Sequence, residues 1–338
     1  MKRSDWLLLA IPGIIWGTSF LFIAEGLRAI GPDGVTFVRI LIGFATLALF
    51  PSTWRPIERR DWAAVALLGV VWFAFPMSMF PHAEQRVSSA LTGMLNGAVP
   101  LFTALVTYTL RRRLPSRGIA IGLTVGVTGA VLVALPGFHE GRSSTIGVLL
   151  ILAALISYGF ALSIALPLQQ RYGSLPVIWR AQAVALILTA PLGLPDVFTA
   201  RWTAAALLSL IALGAFGTGI AFVMMTTAAA RLGPTRASAT AFLIPGVALL
   251  LGVVVRGERV ALLSVIGCAV CVAGAWLMRH AQERIGVAIE DASTASRLAP
   301  DLLRARLRQR RFYGLSRRRF RISRRTLATS TARPSARQ

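Results

Sequence analysis

The stretch from Pro100 to Val133 recurs 145 residues further on, from Pro245 to Met278. The shift places Pro100 on Pro245, Arg111 on Arg256, Gly122 on Gly267 and Gly129 on Gly274. It also places Leu105, Ile121, Val125 and Leu132 on Leu250, Ile266, Val270 and Leu277. Apolar composition alone would match leucines and valines, but it would not also bring a proline and two glycines into register, so the chain carries an internal duplication. Each copy is an apolar stretch broken early by proline, a short turn containing arginine, and a glycine-spaced apolar stretch. That pattern predicts a hairpin of two transmembrane helices.

Composition points the same way. A 338-residue chain that is 55% hydrophobic and 14% charged would expose too much apolar surface as a water-soluble fold. A bilayer core of roughly 30 Å needs about 20 apolar residues per helix. Runs of that kind fall at 6–24, 34–50, 62–80, 87–110, 118–135, 144–166, 175–194, 202–224, 237–255 and 260–278. Eight of the ten hold no charged residue; the others hold Arg39 and Arg180. The spans must be helices, because a helix satisfies its own backbone hydrogen bonds in lipid and an open sheet does not. The first run follows Lys2-Arg3 like a secretory signal, but it is about a bilayer long, contains Pro12-Gly13 and shows no small-residue cleavage site. It is expected to stay as an uncleaved first helix, loosened at the Pro-Gly pair.

With the N-terminus inside, the inner connections and start hold twelve basic residues and the outer ones six: Arg28, Arg86, Arg142, Arg201, Arg256 and Arg259. The positive-inside rule therefore predicts both termini in the cytoplasm, as ten spans require. The duplication extends upstream, where Trp16-Gly17 matches Tyr158-Gly159 and Arg39 matches Arg180. Each half then has five spans, over 1–139 and 140–281. Because five is odd, the halves enter the membrane from opposite sides. Such inverted repeats are a recurrent architecture of alternating-access transporters, with the binding site between the halves near the midplane.

Trp16-Gly17-Thr18-Ser19-Phe20 in the first run, Phe37-Val38-Arg39-Ile40-Leu41 in the second, and the proline-bearing fourth and ninth runs resemble the drug/metabolite transporter (DMT) superfamily, specifically its EamA-like families. The resemblance covers roughly residues 6–278. It implies an all-α membrane protein of ten helices in two inverted five-helix repeats. In that family the turn after the proline helix usually carries Gly-Glu, which Gly257-Glu258 matches; the aligned position in the first copy is Arg113, which leaves the turn 111–113 wholly basic.

Ionisable groups inside a membrane are costly and so mark function. All thirteen acidic residues fall in loops, at span edges or in the tail, which leaves Arg39 and Arg180 as the charges within spans. Each lies about six residues from a span start, roughly 9 Å along the axis, so each can snorkel to an interface or touch substrate. The neutral pathway candidates are Trp16, Ser19, Asn96, Tyr158 and Thr218, with Gln182 a weaker one. Each of them serves either helix packing or substrate. Pro100 and Pro245 each release a carbonyl one turn upstream, which bends the helix or meets a ligand. With no carboxylate inside, facilitated transport is expected, through a site lined by the first, fourth, sixth and ninth spans. Glu25 and Glu84 at the outer mouth are then the coupling candidates, and Arg39 and Arg180 are grouped with them as gating residues.

Other constellations carry no chemistry. Cys268-x-x-Cys271 sits in an apolar run without His or acidic neighbours, where small packing residues are expected rather than a metal or redox site. No Walker A, H-E-x-x-H or G-x-S-x-G motif occurs, so neither an enzyme nor a cofactor is expected. Gly93-x-x-x-Gly97 and Gly122-x-x-x-Gly126 are close-packing signals within the monomer or across a homodimer. Residues 283–338 carry fifteen arginines against four acids. They read as a disordered cytoplasmic tail drawn to anionic inner-leaflet lipids, and without an aromatic platform no nucleic-acid partner is expected. The chain as a whole reads as a secondary transporter of the cell membrane, exporting a small polar or zwitterionic metabolite such as an amino acid. The alternatives are a proton-coupled drug/metabolite antiporter, or a lipid-handling membrane protein or enzyme.

Overall fold

The computed structural model describes residues 3–110, 112, 114–139, 141–233 and 237–284. The turn residues Arg111 and Arg113 and the arginine-rich tail lie outside the described residues. The chain is all-α. In order come α1 (Arg3–Gly26), α2 (Pro32–Ala48), α3 (Arg59–Glu84), α4 (Ser89–Asn96), α5 (Val99–Leu110) and α6 (Arg117–His139). These are followed by α7 (Arg142–Tyr172), α8 (Ser174–Thr199), α9 (Ala204–Leu232), α10 (Thr240–Arg256) and α11 (Leu262–Arg284). Seven of these helices are long and apolar enough to cross a bilayer, and α4 with α5, bent by 43°, gives an eighth when counted as one broken span. α10 is a shorter apolar helix, and α2 has 17 residues. This is a multi-pass membrane protein.

Large apolar side chains point outward along the helices, among them Leu188, Leu192, Leu250 and Val254. Such a surface suits lipid and not water. Among the described residues the interior holds two large packed clusters and a small one around Leu9 and Ala228. One surrounds Phe20, Met94, Leu101 and Ile151, the other Leu68, Phe73 and Ile178, and the half-buried rings of Trp16 and Tyr158 pack against both.

The bend between α4 and α5 falls where the sequence places Pro100, which has no N–H for the Asn96 carbonyl. At the matching place in the second copy, residues Ser238–Phe242 form a tighter 3₁₀ turn just ahead of Pro245. Pro12 acts otherwise, because α1 runs unbroken through it. The neighbouring Gly13 instead permits a close crossing, since a Cβ there would lie 2.8 Å from the Thr240 carbonyl oxygen.

The glycines of the repeated hairpin explain why they are glycines. α6 and α11 cross so closely that a Cβ on Gly129 would lie 2.7 Å from the Gly267 carbonyl oxygen, and one on Gly274 2.8 Å from that of Gly122. A Cβ on Gly122 would lie 2.7 Å from Cα of Met278, and one on Gly267 2.6 Å from the nitrogen of Val133. Each contact is the other displaced by 145 residues with the partners exchanged. The order of contacts also runs in opposite directions along the two helices, so they are antiparallel. Gly93 and Gly97 face Ala248 and Pro245, and Gly126 faces Leu101, so all these small-residue faces are used within one chain.

A second reciprocity was not read from the sequence. α3 and α9 each contain a wide π turn, over Gly69–Ala74 and Leu213–Ile220. The 145-residue shift pairs Leu68-Gly69 with Leu213-Gly214. A Cβ on Gly69 would lie 2.7 Å from the Ala181 carbonyl oxygen in α8, and one on Gly214 3.0 Å from that of Arg39 in α2. A π turn releases backbone carbonyls from the helix ladder, and other helices collect them. The Ser157 hydroxyl donates to Val71 at 2.7 Å, the Trp16 indole to Gly217 at 2.9 Å, and the Gln182 amide to Thr218 at 2.9 Å.

Candidate functional site

At one end of the bundle, α10 terminates in Gly257 with a left-handed φ of 65°, which turns the next residue back towards the start of α4. The Glu258 carboxylate then accepts the Ser89 amide at 3.1 Å, the Ser89 hydroxyl at 2.7 Å and the Ala90 amide at 2.8 Å. A helix N-terminus has unpaired N–H groups and a positive dipole end, so a carboxylate there is doubly favoured. Ser88 completes the cap by accepting the Leu91 amide at 3.2 Å. Arg256 Nε holds Glu258 from the other side at 3.1 Å, and its Nη1 lies 3.8 Å from Glu25, which also pairs with Arg28 at 3.1 Å. Beside this clasp is a cavity of about 380 Å³, bounded by Glu84, Arg86, Ser88, Ser89, Arg256, Glu258 and Ser264 among others.

Glu84 ends α3, four residues beyond the apolar run that ends at 80, and is half-buried there on the wall of the cavity. Both carboxylate oxygens are buried, and neither has a hydrogen-bond partner among the described residues. Its charged neighbours are Glu258, Arg256 and Arg39. Glu84 thus keeps the span-edge position expected of it, with its carboxylate oxygens turned into the protein.

Deeper in the bundle, Arg39 is only 5% exposed. Rather than snorkelling outwards, it donates from Nε to the Thr218 hydroxyl at 3.3 Å. Thr218 sits on the π turn of α9, whose carbonyl also receives Gln182, and Ser19 lies against the adjoining Gly217. Tyr158 and Glu84 are the groups that act on Arg39 electrostatically. Aromatic rings enclose this region: Trp16 meets Phe222 edge-on at 5.5 Å, and Phe80 lies 5.7 Å from Phe20 and 6.0 Å from Tyr158.

The structure thus groups Trp16, Ser19, Arg39, Thr218 and, through electrostatics, Tyr158 and Glu84. Asn96, Pro100 and Pro245 lie at the helix breaks, with Pro245 against Gly97 and Asn96 partly exposed. Arg180 belongs elsewhere, at the opposite end of the bundle. It donates to the Thr53 and Pro176 carbonyls at 3.2 Å each, and its guanidinium lies 5.6 Å from the Trp179 ring centre. That end carries its own clasp, in which Arg171 pairs with Glu58 at 2.7 Å and Asp61 at 3.0 Å and the Tyr172 hydroxyl also donates to Asp61. Sequence reasoning missed both clasps. Gly257-Glu258 was the one available signal, and it gave the acid without its partner helix.

A model of the EamA-like transporter family matches residues 4–135 and again 145–279. The chain belongs to this family. It is accordingly a small-molecule membrane transporter of the DMT superfamily and not an enzyme. It is 29% identical over 285 residues to a probable terminal-alkyne amino-acid exporter of Streptantibioticus cattleyicolor, covering 83% of this chain and 94% of that one. It is 27% identical to the uncharacterized transporter YdfC of Bacillus subtilis, covering 77% and 86% of the two chains. To the uncharacterized inner membrane transporter YedA of Escherichia coli the identity is 29%, covering 72% and 80%. A solved crystal structure superimposes with a TM-score of 0.57 at 19% identity, over 84% of this chain and 99% of the other, which supports the fold alone.

Proposed function

We infer that this EamA-like transporter exports a small zwitterionic, amino-acid-like metabolite by alternating access between two inverted five-helix halves, 1–139 and 140–281. The observation that carries the reading is the reciprocal, antiparallel crossing of α6 and α11: Gly129 meets Gly267 as Gly274 meets Gly122. A two-fold axis that exchanges antiparallel helices lies perpendicular to them, hence in the membrane plane, as in inverted-repeat transporters. The matched π turns of α3 and α9 agree with it. The substrate class is supported by the buried Arg39, the Glu84 carboxylate and the aromatic faces of the bundle, and by the name given to the Streptantibioticus relative. The twelve-to-six bias in basic residues supports cytoplasmic termini in the cell membrane, with the Arg-rich tail on anionic inner-leaflet lipids.

Reporter fusions after Arg60 and after Arg113 are expected to score as cytoplasmic and one after Arg142 as external; an external score for the 111–113 turn would break the inverted arrangement. Release of labelled amino acids from overexpressing cells tests the substrate class. Proton-coupled antiport is a second reading, favoured by the buried and unpartnered Glu84 carboxylate. Proteoliposomes separate the two. Substrate that equilibrates without a pH gradient supports facilitated movement, whereas uphill flux that needs the gradient and is lost in Glu84→Gln supports antiport.

A further inference from the structure

The cavity beside the Glu258 clasp is walled by both segments that match the family model. The end of α3, the start of α4 and the end of α6 come from one, and the turn between α10 and α11 from the other. Its volume of about 380 Å³ falls within the range of about 300–1,000 Å³ usual for small-molecule sites. Five charged side chains border it: Glu84, Arg86, Arg256, Glu258 and Arg259. Glu258 is engaged, because Oε1 takes the Ser89 amide and hydroxyl and Arg256 Nε while Oε2 takes the Ala90 amide. Arg86 donates to the His82 carbonyl, and Arg259 is exposed. Glu84 and Arg256 differ. Both Glu84 oxygens and Arg256 Nη1 are buried without a hydrogen-bond partner among the described residues, and the ion pair of Nη1 with Glu25 is long, at 3.8 Å. Leaving a buried charged group unbonded is costly. One cavity wall thus carries one anionic acceptor and one cationic donor whose bonding capacity is unspent. Each ends a long side chain whose rotation turns it into the space.

We propose that this cavity is a binding site for an α-amino acid, with Glu84 taking the ammonium and Arg256 the carboxylate. This rests on the zwitterion reading above and goes beyond it by placing a site at the end of the bundle, apart from the aromatic-enclosed region around Arg39 and Thr218. Glu84 suits the ammonium, because its two oxygens offer acceptors to a group that has three donors. Arg256 suits the carboxylate, because a guanidinium held at Nε keeps its outer nitrogens for a planar, charge-assisted contact. A carboxylate on Arg256 competes with Glu25 and Glu258 for the same guanidinium, so occupancy weakens the clasp at this end.

The test places a reporter in the wall. Gln85 borders the cavity and is exposed, and Cys268 and Cys271 are buried, so Gln85→Cys should give the full-length protein one reactive thiol. The protein in nanodiscs is labelled with a maleimide in the presence of each standard L-amino acid other than cysteine. The most protective one is then compared with its methyl ester, which lacks the carboxylate, and its N-acetyl derivative, which lacks the ammonium. At least one amino acid should slow labelling, and its derivatives should need about 10- to 100-fold higher concentrations for equal protection, the span expected of one lost charge-assisted hydrogen-bonding group. Glu84→Gln should remove the preference over the N-acetyl form and keep that over the ester, and Arg256→Gln should do the reverse. Glu84→Asp and Arg256→Lys keep the charge and should retain the pattern in weakened form, which covers a neutral variant that fails to fold. If overexpressing cells release labelled amino acids but no amino acid protects the thiol, the cavity site alone is refuted. Neither release nor protection would refute the zwitterion reading as well. Protection whose ester and N-acetyl preferences survive both neutral substitutions would overturn the roles given to Glu84 and Arg256.

Discussion

Replacing Glu258 by alanine is expected to open the end of the bundle that carries Glu25 and to destabilise the purified protein. The carboxylate accepts three hydrogen bonds from the first residues of α4 and one from Arg256, so its removal orphans two amide donors and a guanidinium together. Loss of a helix cap costs about 1 kcal/mol and loss of a charged hydrogen bond about 1.5–3 kcal/mol. Because the group borders a cavity, water replaces part of this, and a net loss of about 3 kcal/mol is a reasonable magnitude. The contact also ties α4 to the end of α10, which lie in the two segments that match the family model, so its loss is expected to loosen those segments from each other as well as fraying one helix. A cysteine placed at Ser88 reports that motion, since Cys268 and Cys271 are both buried. Labelling by a membrane-impermeant maleimide should be about tenfold faster in the Glu258→Ala background, for a weakening of about 1.4 kcal/mol in the closed state. Glu258→Gln should fall between, because one amide oxygen still accepts while the charge is gone. Equal labelling rates and an unchanged melting temperature would reduce the clasp to a local cap.

The same residue shows what the sequence could and could not carry. Apolar runs, the proline pair and the glycine register were legible because each acts locally: a run sets a span, a proline breaks a ladder, a glycine admits a backbone. Glu258 was visible as an acid in a turn. Its partners, however, lie at residues 89 and 90, and no periodicity links positions 168 and 169 apart. The burial of the Glu84 oxygens was hidden for a related reason. Hydropathy stops a span where polarity begins, but a bundle can enclose a polar end that lipid would not, and only the packing of other helices decides that. Arg39 fell to the same limit, since its distance from the span end allowed snorkelling until Thr218 was found within reach. The paired π turns left a faint trace in Leu68-Gly69 and Leu213-Gly214, too short to be separated from chance without the backbone.

Gly129→Ala and Gly274→Ala are expected to be among the most damaging single-methyl additions in this protein, and to be damaging to the same extent. At each site the added Cβ meets backbone of the facing helix within 2.8 Å or less, where no side chain can rotate aside. Inserting one methylene into a packed core costs about 1–3 kcal/mol, and these sites belong at the top of that range because two helices must separate to make room. The expected readouts are a lower melting temperature in detergent and a smaller monodisperse fraction. Gly246 supplies the control. It lies in helix α10 with nothing within 4 Å of a built Cβ, so alanine there should be neutral or stabilising by up to about 1 kcal/mol. The comparison of the two crossing sites also tests the symmetry. If the α6 and α11 contact is one surface meeting its own copy, Gly129 and Gly274 are equivalent positions, as are Gly122 and Gly267. Each equivalent pair should then lose stability to within about 0.5 kcal/mol, the scatter usual for independent sites. A chain that tolerates alanine at Gly129 but collapses with alanine at Gly274 would show that the two halves have diverged in packing and that the crossing no longer works as a two-fold.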